Sequence, residues 1–100
     1  MIEFGGRSHH DLLEVKAVES LARGDYKSAY RFADRRCRIH PTPKAHSYVL
    51  RAEALSGLGD DSAAVRDLIR ALEIAPDDIA TNRRMLRLGT RAQQKDAALS

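Results

Sequence analysis

The sequence contains little of several residue types, and each scarcity excludes a class of protein. One cysteine, Cys37, stands among its 100 residues, so no disulfide can close within the chain and nothing indicates an oxidising compartment. No apolar run approaches the ~20 residues that span a bilayer, and residues 1–8 lack the apolar stretch of a secretory signal. Aromatic residues make up only 5%, which argues against an aromatic-rich β-sandwich. We expect one small cytoplasmic domain without a membrane segment.

The chain also lacks the patterns of common catalytic and metal sites. It has no glycine-rich phosphate loop, and no serine or cysteine has a base on an adjacent helical turn. Five residues are possible metal ligands: Cys37, His9, His10, His40 and His46. Their spacing matches no zinc pattern, and Cys37 falls on a helical stripe with Ala29 and Ala33, which is typical of a small core residue. We predict no catalytic residue, no cofactor, no metal and no enzymatic activity in this segment.

The net charge of +3 comes mainly from 13 arginines. Five of them recur at helical spacing in two segments: Arg31, Arg35, Arg38, Arg66 and Arg70. Asp34 and Asp67 interrupt this pattern, and no aromatic platform accompanies it, as single-strand binding usually requires. We therefore do not expect nucleic acid as a partner.

The most informative feature present is an internal repeat. Segment 24–29, GDYKSA, recurs as 59–64, GDDSAA, and more weakly as 93–98, QQKDAA. The closing alanines, Ala29, Ala64 and Ala98, are 35 and then 34 residues apart, and Pro41 and Pro76 keep the step of 35. A fixed period in this range is typical of a solenoid, in which one supersecondary unit stacks on the next.

Between the glycine and proline breakers, apolar residues have helical spacing. They predict helices at about 9–23, 26–39, 43–57, 60–74 and 78–91, with a truncated sixth starting near 95. Asp25, Asp60 and Asp77 each precede a helical run and can cap it, and Thr42-Pro43 supplies an N-cap hydroxyl and a first-turn proline. No segment alternates with period two, so we predict an all-α fold without strands.

Helix pairs with a Gly-Asp turn and a closing proline, at a period near 34, resemble the tetratricopeptide repeat (TPR) family. The best copy runs over 45–78, with Ala52 and Ala64 where the paired helices cross and Pro76 at the end. Lys16 and Arg36 depart from the family pattern in the first copy. The resemblance implies a right-handed α-solenoid of antiparallel helix pairs, with repeats at about 10–43 and 45–78, an incomplete one at 79–100, and a leader at 1–8.

In this family the first helix of each pair lines a groove that receives a peptide. By motif position the resemblance implies these groove residues: Asp11, Glu14, Val18, Leu21, His46, Val49, Glu53, Ser56, Ala80, Arg83, Arg87 and Arg91. The three arginines form one stripe, which either binds an anionic segment of a partner or is a solvated face. The implied function is a protein-interaction or scaffold module that binds a peptide or a neighbouring domain. The alternative is an N-terminal accessory region of a bacterial transferase-type enzyme whose catalytic domain lies outside this chain.

The third copy is shorter than a full repeat, so we expect a piece of a larger protein. Ala97, Ala98 and Leu99 form an apolar set near one end, while Leu12 and Val15 face outward at the other. Solenoids with uncovered ends stack on each other. The sequence therefore predicts weak self-association through the chain ends.

Overall fold

The described part of the chain consists of α-helices and the connections between them. The structure, a computed structural model, describes residues 9–39 and 44–99, with side-chain environments for 12–39 and 44–90. Within these residues it has five helices and no strand: α1 His9–Ala22, α2 Tyr26–Ile39, α3 Ala45–Gly57, α4 Asp61–Ile74 and α5 Ile79–Leu99. The predicted all-α class is confirmed, and the first four helices lie within two residues of their predicted bounds. Among the described residues, no helix is long and apolar enough to cross a membrane.

The fifth helix differs from the prediction. It runs for 21 residues, Ile79–Leu99, so the end predicted near 91 and the separate sixth helix near 95 are both wrong. Gly89 lies inside α5, where a single glycine costs only about 1 kcal/mol. Segment 93–98 carries glutamine, lysine and alanine, which are good helix formers, in place of the glycine that turns the chain in the first two copies.

The first two copies of the repeat form the same turn. Gly24 and Gly59 have positive φ angles of 76° and 91°, a left-handed conformation that glycine adopts without a steric penalty. The aspartate after each glycine donates its N–H to the carbonyl five residues earlier, at 2.9 Å in both turns. This closure of a helix end by a left-handed glycine is common. The same backbone hydrogen bond therefore recurs after 35 residues, which is the period of the sequence repeat.

The aspartates that follow these glycines cap the next helices. The Asp25 carboxylate accepts the Ser28 N–H at 3.2 Å, and the Asp60 carboxylate accepts the Ala63 N–H at 3.1 Å. Hydrogen bonds from Ser28 lower the pKa of Asp25, because they stabilise the carboxylate form. Both caps are confirmed as predicted.

The cap of α5 is Asp78, and the prediction of Asp77 is wrong by one residue. Asp78 accepts the Thr81 hydroxyl at 2.7 Å and the Ala80 N–H at 3.2 Å, and the bond from Thr81 lowers the pKa of Asp78. Lys44 precedes α3 and makes no side-chain cap bond. The predicted cap at 42–43 lies outside the described residues, as does the leader at 1–8.

Each helix contacts the next along the chain, and α1 also contacts α3. The core consists of two clusters. One is Val49, Ala52, Ala64, Leu68, Ala71 and Leu88, and the other is Ala17, Ala33 and Leu50. Five of these nine side chains are alanine, and Ala52 and Ala64 are fully buried, as the predicted close contact of α3 with α4 requires. Small residues allow helix axes to approach closely, so added volume at these sites is poorly tolerated.

Candidate functional site

Buried polar contacts between helices determine which charged residues remain available for binding. Arg36 of α2 is only 1% exposed. Its guanidinium donates to the Ser47 hydroxyl of α3 and to the Glu14 carboxylate of α1 at 3.2 Å. A buried charge without such partners would be strongly destabilising. Arg36, which departs from the family pattern in sequence, therefore joins three helices.

Arg51 of α3 makes a second interhelical network. Two of its nitrogens donate to the Asp67 carboxylate of α4, each at 2.8 Å, and a third donates to Asp34 of α2 at 3.0 Å. The guanidinium also lies 5.7 Å from the centre of the Tyr48 ring. The hydrogen bonds that Arg51 donates to Asp67 raise the pKa of Arg51, so this guanidinium stays charged and fixed in place.

A cleft of about 410 Å³ opens between α3, α5 and the α1–α2 turn, and we call it the α3–α5 cleft. It is lined by Leu21, Tyr26, Glu53, Ser56, Gly57, Arg84, Arg87 and Leu88. Two aliphatic side chains and the tyrosine ring form an apolar part, and the charged residues come from α3 and α5. Polar groups contribute at least as much as apolar ones to this lining, so the cleft is an open surface of mixed character.

The charges of the α3–α5 cleft are only partly compensated. Arg84 donates to the Glu53 carboxylate at 2.8 Å, so this pair is neutral overall and connects α5 to α3. Arg87 is exposed and makes no ion pair within the part of the chain that the structure describes. The cleft therefore offers one uncompensated guanidinium beside an apolar wall.

Of the predicted groove residues, the structure brings four together: Leu21, Glu53, Ser56 and Arg87 line the α3–α5 cleft. Val49 does not belong to a groove, since it is 5% exposed and lies in the core with Ala52 and Leu68. Glu14 and His46 contact each other at 3.0 Å, and neither lines the cleft.

The other predicted groove residues lie elsewhere. Val18, Ala80 and Arg83 are exposed and do not line the cleft. Asp11 and Arg91 lie on α1 and α5, but their side chains are outside the described part, as are those of the apolar set at 97–99.

The possible metal ligands are not brought together in what the structure describes. Among the described residues, no group of three or more histidine, cysteine or acidic side chains could hold a metal ion. The side chains of His9, His10 and His40 lie outside those residues. Cys37 is half-buried, so the prediction of a core residue is right only in part. Burial raises the pKa of the Cys37 thiol, which disfavours the nucleophilic thiolate.

Sequence reasoning missed four residues of the cleft: Tyr26, Gly57, Arg84 and Leu88. The repeat pattern placed Arg83 on the groove face of α5. In the structure, the face of α5 that lines the cleft carries Arg84, Arg87 and Leu88. A shift of one residue on a helix turns the side chain by about 100°. The opposite charges of Glu53 and Arg84 were the available signal, although nothing in the sequence pairs them uniquely.

No model of a known protein family, no curated protein and no solved structure matches this chain. Function is therefore inferred from its own residues and contacts.

Proposed function

We propose that the chain is a protein-interaction module of the TPR type, a right-handed α-solenoid whose α3–α5 cleft binds a peptide or a domain of a partner protein. The observation that carries the proposal is the composition of the cleft. Leu21, Glu53, Ser56 and Arg87 come from three helices and line one depression. These are positions at which the family resemblance implies a groove.

Two features of the fold support a stacked array. Consecutive helices contact each other from α1 to α5, and the same glycine turn recurs 35 residues apart with the same backbone hydrogen bonds. In an array of this kind each unit covers the apolar face of its neighbour and leaves a continuous surface for a partner.

The chemistry of the cleft indicates the kind of peptide. An apolar side chain can pack against Leu21, Tyr26 and Leu88, and an acidic group next to it can pair with Arg87. Because the cleft is open and Arg87 is screened by solvent, a short peptide should bind with an affinity on the order of micromolar.

The test is a selection of peptides from a random display library on the full chain, followed by affinity measurement by fluorescence polarisation. Selected peptides should share an apolar residue close to an acidic one. The Arg87→Glu variant should bind them at least about tenfold more weakly, since attraction becomes repulsion.

Arg31→Glu is the matched control, because Arg31 is exposed on α2 and does not line the cleft. It makes the same change in net charge and should alter the affinity less than about twofold. Equal weakening by both variants would show that the peptides respond to overall charge, and the proposal would be wrong. Failure to enrich any peptide would also count against it.

A further inference from the structure

A second cleft lies on a different part of the molecule, between α2 and α4, with α3 beneath it. Its volume is about 360 Å³, and it shares no lining residue with the α3–α5 cleft. We call it the arginine cleft because four arginines line it, with one aromatic ring and one carboxylate: Arg38, Arg51, Arg66, Arg70, Tyr48 and Asp67.

Two carboxylates near this cleft, Asp67 and Asp34, are already paired with arginines. Asp67 accepts two hydrogen bonds from Arg51. Asp34, on the α2 side, accepts from Arg51 at 3.0 Å and from Arg38 at 2.8 Å. Arg51 is therefore held in the floor of the cleft, and neither aspartate is left over to neutralise another arginine.

Arg66 and Arg70 carry the excess charge. They are exposed, they lie four residues apart on α4, and neither makes an ion pair within the residues that the structure describes. Residues four apart lie on the same helix face, about 5–6 Å from each other between their Cβ atoms, so both guanidiniums can reach one ligand. Arg38 lines the same cleft from α2, and its Nε forms an ion pair with the Asp34 carboxylate.

We propose that the arginine cleft binds a dianionic phosphoryl group, carried either by a phosphate monoester or by free phosphate. Arg66 and Arg70, which have no ion pair among the described residues, supply with Arg38 more positive charge and more donors than one carboxylate can use. A phosphoryl group has about two negative charges and three acceptor oxygens, and its geometry matches bidentate arginine donors. The cleft is also larger than the phosphoryl group, and Tyr48 offers an apolar surface to the part of the ligand that bears it.

The test is titration of the full chain, observed through the arginine side-chain NMR signals, with inorganic phosphate, phosphoserine and acetate at low ionic strength. Phosphate and phosphoserine should shift the signals of Arg66 and Arg70, and acetate should bind at least about tenfold more weakly. Tighter binding of phosphoserine than of phosphate would identify a phosphorylated side chain as the source, and equal binding would identify free phosphate.

Variants and pH make the test specific. Arg66→Gln and Arg70→Gln should each weaken phosphoserine binding about tenfold, whereas Arg31→Gln, which removes an exposed arginine outside the cleft, should change it less than about twofold. Binding of phosphoserine should fall as pH drops through about 6, where its phosphoryl dianion gains a proton. Binding of sulfate, which stays a dianion, should not change.

Three results would overturn the proposal. Equal weakening by Arg31→Gln would show that binding depends only on net charge. Acetate binding as tight as that of phosphate would show that the cleft does not select a dianion. If single-stranded RNA binds more tightly than phosphoserine, and all three variants weaken RNA binding equally, the cleft is part of a surface that binds an extended polyanion. Because the α3–α5 cleft is not involved, none of these results depends on the proposed peptide site.

Discussion

Replacement of Gly57 by alanine tests the packing between the α1–α2 turn and the end of α3. Gly57 is the last residue of α3. A Cβ atom built there would collide with three atoms of the Tyr26 ring, including the Cγ atom at its base. Because Cγ is fixed close to the backbone of α2, the ring must change its rotamer or α3 must move. We expect Gly57→Ala to destabilise the fold for this reason.

The magnitude follows from two opposing effects. Overpacking of a close contact costs about 1–3 kcal/mol, and a glycine-to-alanine change in a helix returns about 0.5–1 kcal/mol. The net loss should be about 1–2 kcal/mol, measured as the free energy of unfolding by circular dichroism in urea. Tyr26 is partly exposed, at 38%, so the ring can move outward at the expense of some of its buried area, which limits the loss.

A double-mutant cycle distinguishes this contact from other causes. In a Tyr26→Ala background the colliding ring is absent, so the same Gly57→Ala change should become stabilising by about 0.5–1 kcal/mol. Gly89→Ala is the matched control, because Gly89 lies inside α5 and an added Cβ meets no atom within 4 Å. It should stabilise the chain in both backgrounds. If Gly57→Ala destabilises equally with and without Tyr26, the contact is not the cause and the reasoning is refuted.

Three further predictions concern the core, the buried arginine and the helix caps. Ala64→Leu should cost about 1–3 kcal/mol of unfolding free energy by overpacking a fully buried site, while Ser62→Leu, on the exposed side of α4, should leave the melting midpoint nearly unchanged. Arg36→Met should cost about 2–4 kcal/mol in urea unfolding, since it removes the Arg36 donor from a buried hydroxyl and from a partly buried carboxylate, which then keeps only its contact with His46. The lowered pKa values of Asp25 and Asp78 in the folded chain mean that their stabilising effect is present above the unfolded value of 3.8 and is lost as pH falls below it. If the melting midpoint of the Asp25→Asn, Asp78→Asn double variant depends on acid as strongly as that of the parent chain, this last prediction is wrong.

Local chemistry explains why most helix bounds could be predicted from the sequence. The turns at 24–25 and 59–60 need a left-handed residue and a capping carboxylate, and glycine followed by aspartate supplies both. The caps act within three residues of the turn, so no distant contact has to be known. The fifth helix shows the limit, because a period inferred from two good copies predicted a turn at 93–94 where the residues themselves favour helix.

The candidate site was only partly predictable, because its contacts join residues that are far apart in the chain. The Glu53–Arg84 pair spans α3 and α5, and Arg36 reaches Glu14 over 22 residues. Many other carboxylate–arginine combinations have equal charge complementarity in the sequence. Groove positions taken from a repeat pattern also depend on helix rotation, so Val49 was expected on the surface although it lies in the core.

Six arginines of this chain fall into two groups with different physical behaviour. Arg36, Arg51 and Arg84 pair with carboxylates across helices and hold the fold together, whereas Arg66, Arg70 and Arg87 line the two clefts without an ion pair in the described residues. Buried or fixed pairs such as that of Arg36 are shielded from mobile ions, but exposed charges are screened over a Debye length of about 8 Å at physiological salt. Added salt should therefore weaken binding in both clefts well before it lowers the stability of the helices. Such a separation would show that recognition and folding in this chain use different arginines.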